Sequence, residues 1–215
     1  MSKLIFGSAR IDERGRASGG VAGDQTGYEV STQAGYIHTK GWKVFRAKKF
    51  ATRQKLAFAM ASACANQNIG YDQYNRDSLY NAVKGVNFNP ALCTKPVETD
   101  CSALVRVCCA YAGIRLQDFN TSSEPDVLKS CGHFDEVVNW TLASLEAGDI
   151  LVTKVKGHTV IVVQDMETTY QGIANQVYAG YWRNGDARKK ALKEAGWNVA
   201  EVQKIVNHLA ATTGS

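Results

Sequence analysis

Proline is scarce in this chain, three residues in 215, so no long rigid linker separates its parts. No apolar run approaches the roughly 18 residues that a membrane-spanning helix needs, and no membrane insertion is expected. The six cysteines, Cys64, Cys93, Cys101, Cys108, Cys109 and Cys131, are irregularly spaced and form no CxxC pair. No zinc site is expected from them, nor any other metal or cofactor. The opening MSKLIFGSARIDERG has one lysine and a short apolar patch before its charges, unlike a secretory leader. Synthesis in the cytosol is therefore expected, without a disulfide framework. Most of the cysteines then read as small buried hydrophobes. The apolar content of 45% and charged content of 21% are those of a globular chain. The net charge of +5 is modest. No basic stripe carries interleaved aromatics, so nucleic acid is not an expected partner.

The pattern along the chain divides it near residue 168. Residues 1–50 are polar and glycine-rich with short strand-like pieces, and GGVAGDQTGYE from Gly19 to Glu29 has loop chemistry. A helix is predicted from Thr52, as N-cap, to about Asn68, with Leu56, Ala59, Met60, Ala63 and Cys64 on one face. A loop of about thirty residues holding Pro90 and Pro96 follows. A second helix begins near Cys101, with Leu104, Val105, Cys108 and Ala112 on one face and Gly113 as its stop. A short helix is expected around Pro125 to Ser130. Gly148-Asp149 then precedes a strand from Ile150 to Val155, a turn at Lys156-Gly157, and a strand from His158 to about Gln164. Beyond Asp165 a polar connector leads to three short helices. Ile173 and Val177 mark the first, Asn184-Gly185-Asp186 opens the second, and Asn198 caps the third, where Val199, Val202, Val206 and Leu209 recur. This tail, from residue 171 on, carries six basic against three acidic side chains.

Thr99-Asp100-Cys101-Ser102 places a cysteine at a helix N-terminus. Unpaired backbone N–H groups and the positive dipole end there favour a thiolate, the form a nucleophile needs. His158 opens a strand after a glycine turn, fifty-seven residues downstream. A helix packed on that sheet would bring the pair together, with His158 as base toward the thiol and acid toward a leaving amine. His38 and His133 lack that context and read as turn histidines.

TDCSALV, LEAGDILV and KGHTVIVV, in that order, resemble the papain-like cell-wall hydrolases of the NlpC type and the related CHAP domains. The resemblance covers about residues 52–165. It implies an α+β fold with the nucleophile helix packed on an antiparallel sheet, Cys101 and His158 as catalytic residues, Asp100 and Ser102 beside the substrate, and cleavage of amide bonds in peptidoglycan. That family supplies a third polar residue on the strand after the histidine strand. Here the chain leaves the domain soon after Asp165, and Gln164, Asp165, Glu167 and an N-terminal residue all stay open. The N-terminal loop also resembles a segment at the start of some phage hydrolases of this type, which implies Asp24 and Gln25 as parts of a cleft wall.

The tail string IANQVYAGYWRNGDARKKALKEAGWNVAEVQKIVNHL resembles the CW-seven repeat found at the ends of some phage lysozymes. This implies a small three-helix bundle that binds the muropeptide part of peptidoglycan through Trp182, Asn184, Gly185 and Arg188, with Trp197 either stacking on sugars or packed in the core. Residues 1–168 are thus expected to cut and residues 169–215 to bind, as in a phage endolysin. The cut is that of an endopeptidase or of the related muramoyl-alanine amidase. A non-catalytic wall-binding protein, and an acyltransferase of the same fold, are the alternatives of other classes.

Overall fold

The computed structural model describes residues 4–165, 170–178, 180, 182, 184–194 and 197–213. The chain is mixed α+β and falls into two compact units, the first ending at Asp165. Its strands are β1 (Ile5–Ala9), β2 (Val30–Ala34), β3 (Trp42–Ala47), β4 (Ile69–Tyr71), β5 (Val97–Thr99), β6 (Phe134–Val137), β7 (Ile150–Thr153) and β8 (Thr159–Gln164). Six of them form one antiparallel sheet in the order β2-β1-β8-β7-β3-β6, and β4 pairs in parallel with β5 beside it. The first unit's helices are α1 (Phe50–Cys64), α2 (Ser78–Val83), α3 (Cys101–Tyr111) and α4 (Glu124–Ser130). Among the described residues no helix is long and apolar enough to cross a membrane.

Alternation along the strands divides the core between the two faces of the sheet. Ala9, Val30, Phe45, Ile150, Val152 and Ile161 meet Leu56, Met60, Leu104, Val105 and Cys108 of α1 and α3. Phe6, Trp42, Val44, Leu151, Val160 and Val162 form a second core on the other face, with Tyr36, Trp140 and Leu142 against it. The N-terminal fifty residues are therefore structural. They supply three strands of the sheet, and β1 occupies the place next to β8.

Two boundaries differ from the sequence expectation. α1 starts at Phe50 behind an extended Lys49 with no side-chain cap, so Thr52 is not its N-cap. It ends at Cys64, because Asn66 turns away to donate from its amide to the carbonyls of Pro90 and Cys93. The stretch read as a thirty-residue loop holds β4, α2 and β5. These elements have three to six residues each, too short for a periodic signal.

Gly148-Asp149 has a structural reason. Gly148 has φ +92°, and a Cβ there would strike the backbone of Arg53. Asp149 is fully buried and accepts from Arg46 Nε and Nη2 at 2.8 and 2.6 Å, and from the N–H of Glu146. Burial raises the Asp149 pKa, and the Arg46 bonds oppose that rise. The motif ties the start of β7 to β3 and α1.

The second unit has α5 (Tyr170–Tyr178), α6 (Gly185–Glu194) and α7 (Val199–Thr213). Ile173, Ala174, Val177, Leu192, Val202 and Val206 form its core. Asn198 caps α7, accepting from the N–H groups of Ala200 and Glu201.

Gly148→Ala is expected to cost about 3 kcal/mol, from left-handed backbone strain plus displacement of the α1 backbone. Urea unfolding measures it, and a loss below about 1 kcal/mol would show that the turn relaxes around the added methyl.

Candidate functional site

Cys101 is the first residue of α3. Asp100 caps the helix, its Oδ1 accepting from Ala103 N–H at 2.7 Å and from Ser102 Oγ at 2.9 Å. Arg76 fastens that cap. Its Nε donates to Asp100 Oδ2 at 2.7 Å and its Nη2 to Ser102 Oγ at 2.9 Å and to the Phe119 carbonyl at 2.6 Å, while Nη1 donates to both oxygens of Asp118. Asp100 and Ser102, expected beside the substrate, are buried and held in this network. Their polar atoms set the position of the helix start.

His158 is placed by the β7–β8 turn. Its N–H donates to Thr153 Oγ1 at 3.0 Å, and its carbonyl accepts from Thr153 N–H at 3.0 Å. The next residue, Thr159, opens β8, against which α3 packs, and its backbone N–H favours the anionic form of Cys101. On its side chain, Thr159 Oγ1 donates to Glu124 Oε1 at 2.8 Å. Glu124 is fully buried and its Oε2 has no partner. Burial holds its carboxyl well above the ordinary range, and its bond from Thr159 opposes that rise. The fold thus brings Cys101 to the backbone beside His158.

The resting protonation differs from the sequence expectation. Burial pushes the Cys101 thiol up to about 12, and the neighbouring Asp100 and Glu124 carboxyls add to this. The backbone N–H groups of Thr159 and Ser102 pull the other way and are outweighed. Cys101 is 7% exposed, and the desolvation cost of a thiolate exceeds what the helix start returns. His158 is held down to about 4, mainly by burial and further by the charges of His38 and Arg10. The resting pair is a thiol and a neutral imidazole.

An open cleft of about 420 Å³ is lined by His158 with Arg10, Ile11, Gln33, Tyr36 and His38. Cys101 does not line it. The wall is N-terminal: Arg10 follows β1, Gln33 is in β2, and Tyr36 and His38 lie in the connection to β3. That connection is secured by Lys40 Nζ, which donates to the Lys156 carbonyl at 2.7 Å, and by the rings of Tyr36 and His38 against Trp42. His38, read from the sequence as a turn histidine, therefore shares the His158 cleft. Of the residues left open as a third partner, Gln164 and Asp165 stand at the opposite end of β8. Five strand steps, about 17 Å, separate them from its start, and Asp165 accepts from Ala147 N–H there. Glu167 lies outside the described residues. Of the N-terminal residues left open, Arg10, Gln33, Tyr36 and His38 line the cleft with His158.

Asp24 and Gln25 brace their own loop. Asp24 accepts from the N–H groups of Thr26, Gly27 and Val30, and Gln25 Nε2 donates to the carbonyls of Ala22 and Gly23. The loop sits at the Val97 end of β5, where Gly23 N–H meets the Val97 carbonyl. Cys101 is four residues further on, about 13 Å of extended chain. Neither residue is among those that line the His158 cleft. In the second unit Trp182 packs on the core and donates its indole N–H to Gln176 Oε1. Arg188 Nη2 donates to Asn184 Oδ1 at 2.8 Å next to Gly185, which has φ +58°. Lys189, Lys193, Trp197, Asn198 and Gln203, mostly outside the residues singled out from the sequence, line a groove of about 570 Å³.

The low pKa of His158 has a consequence for stability. The folded chain keeps the ring neutral where the unfolded chain protonates it. Its contribution is complete above pH 6.5 and is lost as the pH falls to about 4. At about 1.4 kcal/mol per pH unit the loss totals about 3 kcal/mol. His158→Asn should lose that much less stability than the parent between pH 7 and 4 in urea unfolding, whereas equal losses would place the ring in water. Alkylation of Cys101 in the resting protein should keep rising past pH 10 without a plateau.

No curated protein and no solved structure matches the chain. Two family models do. Residues 171–210, which contain the three helices of the second unit apart from their outermost residues, match the CW_7 repeat. The sheet, its helices and the Cys101–His158 region fall within residues 6–169, which match the endolysin-like domain. With that match over most of its length, the chain belongs to the endolysin-like domain family, and it is a wall-acting lytic protein with a cell-wall repeat.

Proposed function

We propose that the protein is a papain-like cysteine hydrolase of the NlpC type, cutting an amide bond in the stem or cross-link peptides of peptidoglycan, as a phage endolysin does. Residues 1–168 do the cutting. Residues 169–215, a three-helix bundle, hold the enzyme to muropeptide on the wall. The observation that supports this reading is that α3, whose first residue is Cys101, packs against β8, the strand that begins directly after His158.

The reaction starts from the neutral pair. As substrate enters, His158 takes the thiol proton while Sγ attacks the amide carbonyl. The backbone N–H groups at the start of α3 receive the developing oxyanion. His158 then returns the proton to the leaving amine as the C–N bond breaks, leaving an acyl-enzyme thioester. Water, deprotonated by His158, attacks this ester, and the acid and free thiol are released. Arg76, Asp100 and Ser102 hold the helix start still through both steps. The muramoyl-alanine amide fits the same chemistry as a peptide cross-link, and mass spectrometry of digested walls distinguishes them.

Cys101→Ala and His158→Ala should each reduce wall lysis by at least about a thousandfold, and the double variant should be little worse, because the two groups act as one unit. Cys108→Ala and Cys109→Ala should retain lysis. Full lysis by Cys101→Ala would remove the cysteine mechanism. No lysis by the parent under any condition would instead support a wall-binding protein with an inert hydrolase fold.

The binding role has its own test. Arg188→Ala in the full chain should weaken sedimentation with purified walls by about tenfold, while hydrolysis of soluble muropeptides is retained, because the repeat raises the local concentration of enzyme at a polymeric substrate. Unchanged sedimentation would remove Arg188 from the binding face.

A further inference from the structure

The cleft beside His158 contains one permanent charge. Arg10 lines it together with Ile11, Gln33, Tyr36, His38 and His158, and no carboxylate does. Arg10 follows β1, and its backbone N–H is fixed by the Glu29 carbonyl at 2.7 Å. Its near neighbours Asp12 and Glu13 are engaged elsewhere, both with Arg14. The Arg10 guanidinium forms no ion pair among the described residues. Its charge is nevertheless felt in the cleft, where it acts on both His158 and Tyr36. The two histidines supply no competing anion.

An unpaired guanidinium on the wall of a cleft is suited to a carboxylate, which it binds through two parallel N–H donors. The reaction itself places no negative charge on that side, because the oxyanion is received at the start of α3. The charge is therefore directed at a part of the substrate that does not react. Gln33 and Tyr36 add neutral polar groups to the same wall. The walls of Ile11 and Tyr36 exclude some water and strengthen the pair.

We infer that Arg10 is a specificity-determining residue that binds a free carboxylate carried by the substrate peptide near the scissile amide, so that the enzyme prefers acidic stem peptides over their amidated forms. This rests on the reading of Cys101 and His158 as the hydrolytic pair. It assigns the N-terminal strands a direct part in choosing the substrate. Phosphate of a wall polymer would also attract a guanidinium. Its place in one cleft with His158 favours a group borne on the peptide being cut, and the experiment separates the two.

The probes are soluble muropeptides from one bacterial wall, used as prepared and after chemical conversion of their carboxylates to carboxamides. The parent should hydrolyse the free form with a kcat/KM at least about tenfold above that of the amidated form. Arg10→Ala should bring this ratio close to one, mostly through a higher KM, and Arg10→Lys should keep part of it. Arg10 is exposed, so these variants should fold, and circular dichroism checks this. Equal hydrolysis of both forms by the parent would overturn the proposal, as would an Arg10→Ala variant that keeps the parental ratio. Competition by inorganic phosphate or a polyphosphate that abolishes the preference, with the free carboxylate having no effect on KM, would also overturn it in favour of a phosphate site. Cys101→Ala must lose both forms alike. If it hydrolyses either, the nucleophile assignment fails, and with it the substrate pose on which the role of Arg10 depends.

Discussion

Arg76 reaches two carboxylates, a hydroxyl and a carbonyl at once, and through Asp100 it determines where α3 begins. The rest of the site follows from that point. A helix start offers free N–H groups only if its first turn is held, and here one guanidinium holds it from outside the helix. Asp100 is buried, so its charge needs this partner; removal of Arg76 would leave a carboxylate uncompensated in the interior. The same cap fixes Cys101 against Thr159, and the β7–β8 turn fixes Thr159 next to His158. The helix start and the β7–β8 turn are thus each held by hydrogen bonds outside the thiol and the imidazole.

The protonation of the pair follows from burial. A helix N-terminus lowers a thiol pKa when water can also reach the sulfur. At Cys101 the thiol is buried, and desolvation dominates. The imidazole is shifted in the opposite direction for the same reason. Both shifts favour the uncharged forms.

The N-terminal strands show how sheet topology can complete a site. A strand placed beside β8 is needed to wall the cleft, and the chain has no further strand after Asp165 in this unit. β1 takes that place from the other end of the sequence, and its continuation brings Arg10 to the cleft. β2 and the connection to β3 add Gln33, Tyr36 and His38. Local residue patterns carry no record of which strand lies beside which, because pairing between β1 and β8 spans about 150 residues of chain and depends on the whole sheet being formed.

Asp100 before Cys101, the apolar positions of α3, the glycine turn before His158, and the helical spacing of Val199, Val202 and Val206 were all legible in the amino-acid sequence. Each is a local matter of caps, turns and periodicity acting over one or two turns of chain. The short elements between Asn66 and Thr99 were not legible, being too brief to show a period. Four things were decided only by the tertiary structure. It set the charge state of Cys101 and His158, since burial depends on neighbours distant in sequence. It gave Asp100 and Ser102 to Arg76, an arginine at no recognisable spacing from them. It engaged Asp24 and Gln25 in hydrogen bonds within their own loop. It brought Arg10 and His38 to the histidine's cleft, because a side chain's neighbours across a sheet are set by strand order, which the local sequence does not encode.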